Sequence, residues 1–301
     1  MEKFDLKKIL VPVDFSTTAM QALKQAVVIA KTSGAAIKII HVTQQVYFPA
    51  DEVAITNNDS INKAISKRSA TELKKIVKTI QLTDGIKVDF EMQSGNVIDA
   101  ICYLAEKEKF DLIIMGTHGI SGVKEFFAGS NSYKTVRHSI CPVLTIQQNA
   151  GTANFKTIVL PIRLERSSRQ KVDYVVEMAR LFNSTVIIAG YTDDKEESKQ
   201  FKVKQYVAQV EKYLAKHSIT YKSKLIFAPD FAKEILKLAK KSNAGLIVTM
   251  KEHDFSMDQL IKGSYSEQFV NHSPIPVLSI PVFNNPDLIT YTPYLSGGVP
   301  Y

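Results

Sequence analysis

Short apolar runs alternate with helical patterns along this chain, and the alternation occurs twice. In the first stretch, Lys8–Val13, Ala36–Val42, Ile86–Met92, Leu112–Met115 and Val143–Ile146 are rich in Val, Ile and Leu, as strands are. Between them the apolar positions fall at helical spacing. Ser16 is placed to cap a helix in which Ala19, Leu23, Ala26, Val27 and Ala30 recur, and Gly34 ends it. Further helices are expected over about Ser60–Ile80, Val97–Lys109 and Ser130–Ser139.

The second stretch has the same order. Strands are expected near Thr157–Ile162, Thr185–Tyr191, Thr220–Phe227, Leu246–Thr249 and Val277–Ile280. Helices are expected near Ser168–Phe182, Ser198–Lys216, Phe231–Lys241 and Ser264–Asn271. The sequence itself recurs: ILVPVD at 9–14 returns as IVLPIR at 158–163, DLIIMG at 111–116 as GLIVTM at 245–250, and CPVLTI at 141–146 as IPVLSI at 275–280. The first pair is offset by 149 and the other two by 134, so the second copy is 15 residues shorter in its middle. Three recurrences in one order at compatible spacing indicate a duplicated domain.

Strictly alternating strand and helix implies an α/β fold: two tandem, doubly wound, five-stranded parallel-sheet domains with helices on both faces. The third strand of each copy is more polar, which suits a sheet edge. The expected divisions are a first domain over 1–147, a polar linker over 148–156, a second domain over 157–283 and a tail over 284–301. The tail is rich in Pro and Gly and carries Tyr291, Tyr294 and Tyr301. It reads either as a loose extension or as a segment whose tyrosines dock elsewhere.

Composition narrows the class. No apolar run is long enough to span a bilayer, and no leader peptide is evident, so a cytoplasmic protein that does not engage membranes is expected. The net charge of +8 is spread out: 18 basic and 15 acidic side chains in the first 150 residues, and 20 and 15 in the rest. Without a basic stripe, nucleic acid is not an expected partner. Cys102 and Cys141 both sit in apolar contexts and read as reduced core thiols.

The candidate chemistry lies after the fourth strand, in GTHGISGVKEFFAGSNS over 116–132. Ligands of open parallel sheets sit beyond the carboxyl ends of the strands. Gly116 stands at such an end, where a glycine permits close approach of a ligand and unusual backbone angles. Gly129-Ser130 opens a helix whose free N–H groups suit a phosphate, and the hydroxyls of Ser130 and Ser132 could add bonds to it. The alternative is a plain glycine-rich connection. The loop is neither a P-loop nor the dinucleotide fingerprint. Asp14, at the end of the first strand, could accept from ribose hydroxyls or could serve the following helix as a cap. His118 could meet a phosphate or be structural. Metal-ligand spacing, a nucleophile elbow and a general base near the loop are all missing, which argues against fast catalysis.

With these motifs in hand, the chain resembles a tandem member of the universal stress protein family. The resemblance rests on Gly116, Gly119, Gly129 and Ser130 at their spacing, Asp14 after the first strand, CPVLTI after the loop helix, and Gly95-Asn96. It implies a Rossmann-like fold of the adenine nucleotide alpha hydrolase type, with ATP as the ligand, accompanied by magnesium. Asp14 would bind the ribose, and Val42 would present backbone groups to adenine. Gly116, Thr117, His118 and Gly119 would line the ribose and phosphates, and Gly129, Ser130, Asn131 and Ser132 would hold the phosphates. Pro12, Val13 and Met115 would wall the pocket. The resemblance also implies that the two domains pair within the chain through their last strands. It leaves room for a homodimer and an unidentified protein partner in a stress-response regulatory role.

The second copy departs from the pattern. Met250 and His253 replace the first two glycines, and Arg163 stands in place of the carboxylate, where it could pair with an acid; Gly263-Ser264 survives. ATP is therefore expected in the first domain alone. The competing functions are a nucleotide-free interaction scaffold or small apolar ligand carrier, and a slow ATP-using enzyme.

Overall fold

A computed structural model describes residues 5–43, 58–117, 131–147, 154–251 and 265–282. The chain divides into two compact units between Thr152 and Ala153. In the first, β1 (Lys8–Pro12), α1 (Thr17–Ser33), β2 (Ala36–Thr43), α2 (Asn58–Asp84), β3 (Val88–Ser94), α3 (Val97–Lys107), β4 (Leu112–Gly116), α4 (Asn131–His138) and β5 (Val143–Ile146) follow in turn. In the second come β6 (Thr157–Ile162), a 3-10 turn (Arg166–Arg169), α5 (Val172–Phe182), β7 (Thr185–Thr192), α6 (Glu197–Lys216), β8 (Tyr221–Phe227), α7 (Phe231–Lys241), β9 (Leu246–Met250), α8 (Tyr265–His272) and β10 (Val277–Ile280).

All pairings within each unit are parallel. The strand order is β3-β2-β1-β4-β5 in the first and β8-β7-β6-β9-β10 in the second. The expected architecture is therefore present twice, with the polar third strands β3 and β8 at an edge of each order. The central strands are largely apolar. Ile9, Leu10, Ile113 and Leu144 are fully buried in one unit, and Val159, Ile188 and Ile247 in the other. Each such side chain contributes roughly 1.5–3 kcal/mol.

Local signals in the sequence set the helix ends. The Ser16 hydroxyl accepts from the Ala19 amide at 3.2 Å, and Gly34 closes α1 at φ 78° while its amide donates to the Ala30 carbonyl. Asn96 caps α3 and Asp230 caps α7 by the same side-chain acceptance.

One element departs from expectation. The helix expected over Ser168–Phe182 begins only at Val172, preceded by the 3-10 turn. The two units also differ in the residue that ends the fourth strand. In the first unit α1 reaches down onto Gly116: a Cβ there would lie 2.7 Å from the Thr18 carbonyl carbon and 2.8 Å from its oxygen. In the second unit the equivalent position is the buried Met250. The tighter 3-10 segment packs against β6 and β9 there.

Candidate functional site

The carboxyl end of β1 carries Asp14. Its Oδ1 accepts from both the Ser16 amide (3.0 Å) and the Ser16 hydroxyl (2.5 Å), while Ser16 itself caps α1. Asp14 thus stands behind the cap and is not the cap. Between them Phe15 adopts φ 64°. A bulky residue in that region costs about 1–3 kcal/mol, and such strain persists only where the surroundings over-determine it. Two contacts do so here. The Phe15 ring lies 4.8 Å from the His41 ring, and buried His41 donates from Nδ1 to the Val13 carbonyl at 2.7 Å. A carbonyl can only accept, so the Nδ1 proton is fixed by this bond.

Val42 follows His41 on β2. β1 ends at Pro12, which pairs with Ile40, and the Val13 amide closes that ladder on the Ile40 carbonyl at 2.9 Å. Strand alternation turns the Val42 amide and carbonyl to the same side, past the last β1 residue that pairs with β2. Pro12 is half-buried, and Val13 and Met115 are buried beneath this end of the sheet.

Gly116 ends β4 in register with Ile146. Sequence reasoning gave its missing side chain to ligand approach and unusual backbone angles. The described glycines with positive φ are Gly34, Gly85 and Gly95, so Gly116 lacks the unusual angles, and the structure adds another reason for its missing side chain, the close approach of α1 at Thr18. Thr117 is buried, its amide donating to the Ile146 carbonyl (3.1 Å) and its hydroxyl to Gln147 (2.6 Å). Buried Ser132 donates to the Thr117 carbonyl at 3.2 Å, which ties α4 to the end of β4. Asn131 is exposed at the first position of α4. His118, Gly119, Gly129 and Ser130 lie outside the described residues, as do His253, Gly263 and Ser264 of the second copy. Among the described residues no group of three or more His, Cys, Asp or Glu could hold a metal ion.

The same positions in the second unit are filled differently. Arg163, Tyr191, Met250 and Tyr265 stand where Asp14, Val42, Gly116 and Asn131 stand in the first. The Arg163 guanidinium lies 4.5 Å from the Tyr265 ring and 4.9 Å from the Phe231 ring, and pairs with Glu165 at 2.8 Å. The expected pairing of this arginine with an acid is present, but aromatic rings enclose it. Tyr191 packs on Phe231 at 4.8 Å and donates its hydroxyl to the Ala228 carbonyl; burial pushes that hydroxyl's pKa up. Beside this cluster, fully buried Lys171 donates to the Ser168 carbonyl at 2.6 Å. Burial, then the charge of Arg163, pulls its pKa down to about 7, against the weaker pull of Glu165.

Sequence reasoning missed Phe15 and His41, although a histidine directly before Val42 in an apolar strand was a visible signal. It also stopped short at Tyr191 and Tyr265, which the same offsets would have reached.

Comparison with known proteins agrees with the duplicated pattern. The universal stress protein family model matches the chain twice, over 5–147 and 154–281. A universal stress protein of Methanocaldococcus jannaschii is 33% identical over 145 residues, 47% of this chain and 82% of that relative. A staphylococcal relative bearing the same family name (Staphylococcus aureus, strain USA300) is 32% identical over 160 residues, 52% and 94% of the two chains. The crystal structure of a universal stress protein from Archaeoglobus fulgidus covers 93% of this chain and 98% of its own, with TM-score 0.73 and 19% identity, a likeness of fold. The chain belongs to the universal stress protein family and carries two of its domains in tandem.

Proposed function

We propose that the first unit binds one adenine nucleotide, ATP with magnesium, that the second binds none, and that nucleotide occupancy serves a regulatory role. One observation carries this: four equivalent positions hold a carboxylate, a valine whose peptide groups lie past the end of β1, a glycine and an exposed asparagine in one unit, and an arginine among packed aromatic rings in the other. The first set suits a nucleotide. The Val42 peptide groups face past the end of β1 and offer one donor and one acceptor to a purine edge. A carboxylate has about four lone-pair sites, so Asp14 can serve ribose hydroxyls as well as Ser16. The phosphates would meet the start of α4 and the loop before it, at Gly119, Gly129 and Ser130. In the second set the arginine and tyrosine rings occupy the corresponding ground, and Met250 removes the glycine.

Equilibrium dialysis of the whole chain against labelled ATP with magnesium tests the proposal. One nucleotide per chain is expected. None would overturn the binding site, and two would overturn the closure of the second unit.

A further inference from the structure

We infer that His41 is a positioning residue for this nucleotide site: through the Val13 carbonyl and the Phe15 ring it fixes where the Asp14 carboxylate stands relative to Val42. The inference rests on the ATP reading above. Asp14 follows Val13, and Val42 follows His41, so the 2.7 Å bond from His41 Nδ1 to the Val13 carbonyl ties the two site-bearing strand ends together one residue before each ligand group. It sets the span that a nucleoside must bridge from ribose to base. The Phe15 ring against His41 holds the positive-φ turn that swings the chain from Asp14 into the Ser16 cap.

The second unit supplies an independent observation. The residue equivalent to His41 is Gly190, and a Cβ at that position would lie 2.5 Å from a Val207 methyl carbon and 2.9 Å from a Leu225 methyl carbon. No side chain can form the tie there. The residue equivalent to Phe15 is Leu164, which is not among the described positive-φ residues. The histidine, the strained turn and the carboxylate are thus present together in one copy and missing together from the other. The bonds that both copies share, such as Ser139 to Cys141 and Ser273 to Ile275, belong to the fold. The His41 tie does not recur and goes with the site.

The test uses ATP and its 2′,3′-dideoxy analogue, which lacks the hydroxyls that Asp14 would accept, on the full-length chain. Wild type should prefer ATP by about tenfold, the worth of a hydrogen bond to a charged group. His41→Leu should lower that preference to about twofold, largely through weaker ATP binding, and His41→Gln, whose amide can donate to the Val13 carbonyl, should restore part of it. Phe15→Gly, which relieves the backbone strain while removing the ring, serves as the second variant and should also lose preference while folding normally. Unchanged preference in folded His41→Leu and Phe15→Gly overturns the inference and leaves the ATP site standing. A wild type that binds ATP without preferring it to the analogue overturns the role of Asp14 and the inference with it, and a wild type that binds neither overturns the ATP site itself.

Discussion

The two units of this chain share a scaffold and differ at one end of it. The Thr117 amide bonds to Ile146 in one and the Lys251 amide to Ile280 in the other, 134 residues on. Ser132 ties α4 to the Thr117 carbonyl just past β4, and Ser266 ties α8 to the Met250 carbonyl at 2.8 Å, one residue earlier in the equivalent register. Set against these recurring bonds, four changed positions stand out: Asp14 against Arg163, Val42 against Tyr191, Gly116 against Met250, and Asn131 against Tyr265. A duplicated chain carries its own control. What both copies keep is what the fold needs, and what one copy alone keeps is a candidate for chemistry. By that criterion the Ser132 bond belongs with the scaffold, and the His41 and Phe15 contacts, kept in one copy alone, are candidates for the site.

The most disruptive way to break the comparison is to exchange its smallest member. Gly116→Met places the second unit's residue under α1, where even a Cβ would press on the Thr18 backbone. Backbone cannot yield as a side-chain tip can, so the first turn of α1 should lift, at a cost of about 1–3 kcal/mol or more. Hydrogen exchange should show lost protection for the α1 amides after Thr18, unchanged protection in β6 to β10, and no bound ATP by dialysis. Retained binding with unchanged protection would mean that the glycine is dispensable.

Less severe is the change at Lys171, which stands where the first unit has the buried Ala22. Its amine has a folded pKa of about 7 against an ordinary 10.5. Between those values the unfolded chain binds a proton that the folded chain does not. Stability should therefore rise with pH from about 7 toward 10.5, and the full penalty of burial should be felt below about 7. Lys171→Met removes the titrating group at similar volume. The variant should exceed wild type in urea resistance at pH 7 by roughly 1–3 kcal/mol, with the gap narrowing at pH 8 and again at pH 9. A gap that does not change with pH would show that the amine is charged when folded.

The fold was legible because parallel strands buried on both faces and capped amphipathic helices leave local marks, and β5, β6, β10 and α7 have the bounds read from sequence. The late start of α5 was not legible. The turn before it packs against β9, about 80 residues away in sequence, which local patterns do not report. The site was half legible for the same reason. Asp14 draws notice by its position at a strand end and Val42 only through the family resemblance, whereas the packing of a helix across Gly116 leaves no local mark. Ser132 looked like a phosphate ligand because a serine at a helix start fits that role in isolation; its bond to the Thr117 carbonyl shows only in the structure.

The gentlest test asks whether the aromatic cluster of the second unit is a plug or merely filler. Arg163→Ala removes a guanidinium held over two rings and paired with Glu165, in a partly exposed setting, so the loss should be about 1–2 kcal/mol. Hydrogen exchange should weaken at the starts of α7 and α8, which carry Phe231 and Tyr265, and should stay unchanged in α1 and β1. Binding should remain at one ATP per chain, because Met250 still fills the glycine position and Tyr191 still holds the Ala228 carbonyl at 2.6 Å. If a second nucleotide entered this variant, the arginine alone would be what closes the second unit, and the difference between the two copies would reduce to a single reversible side chain.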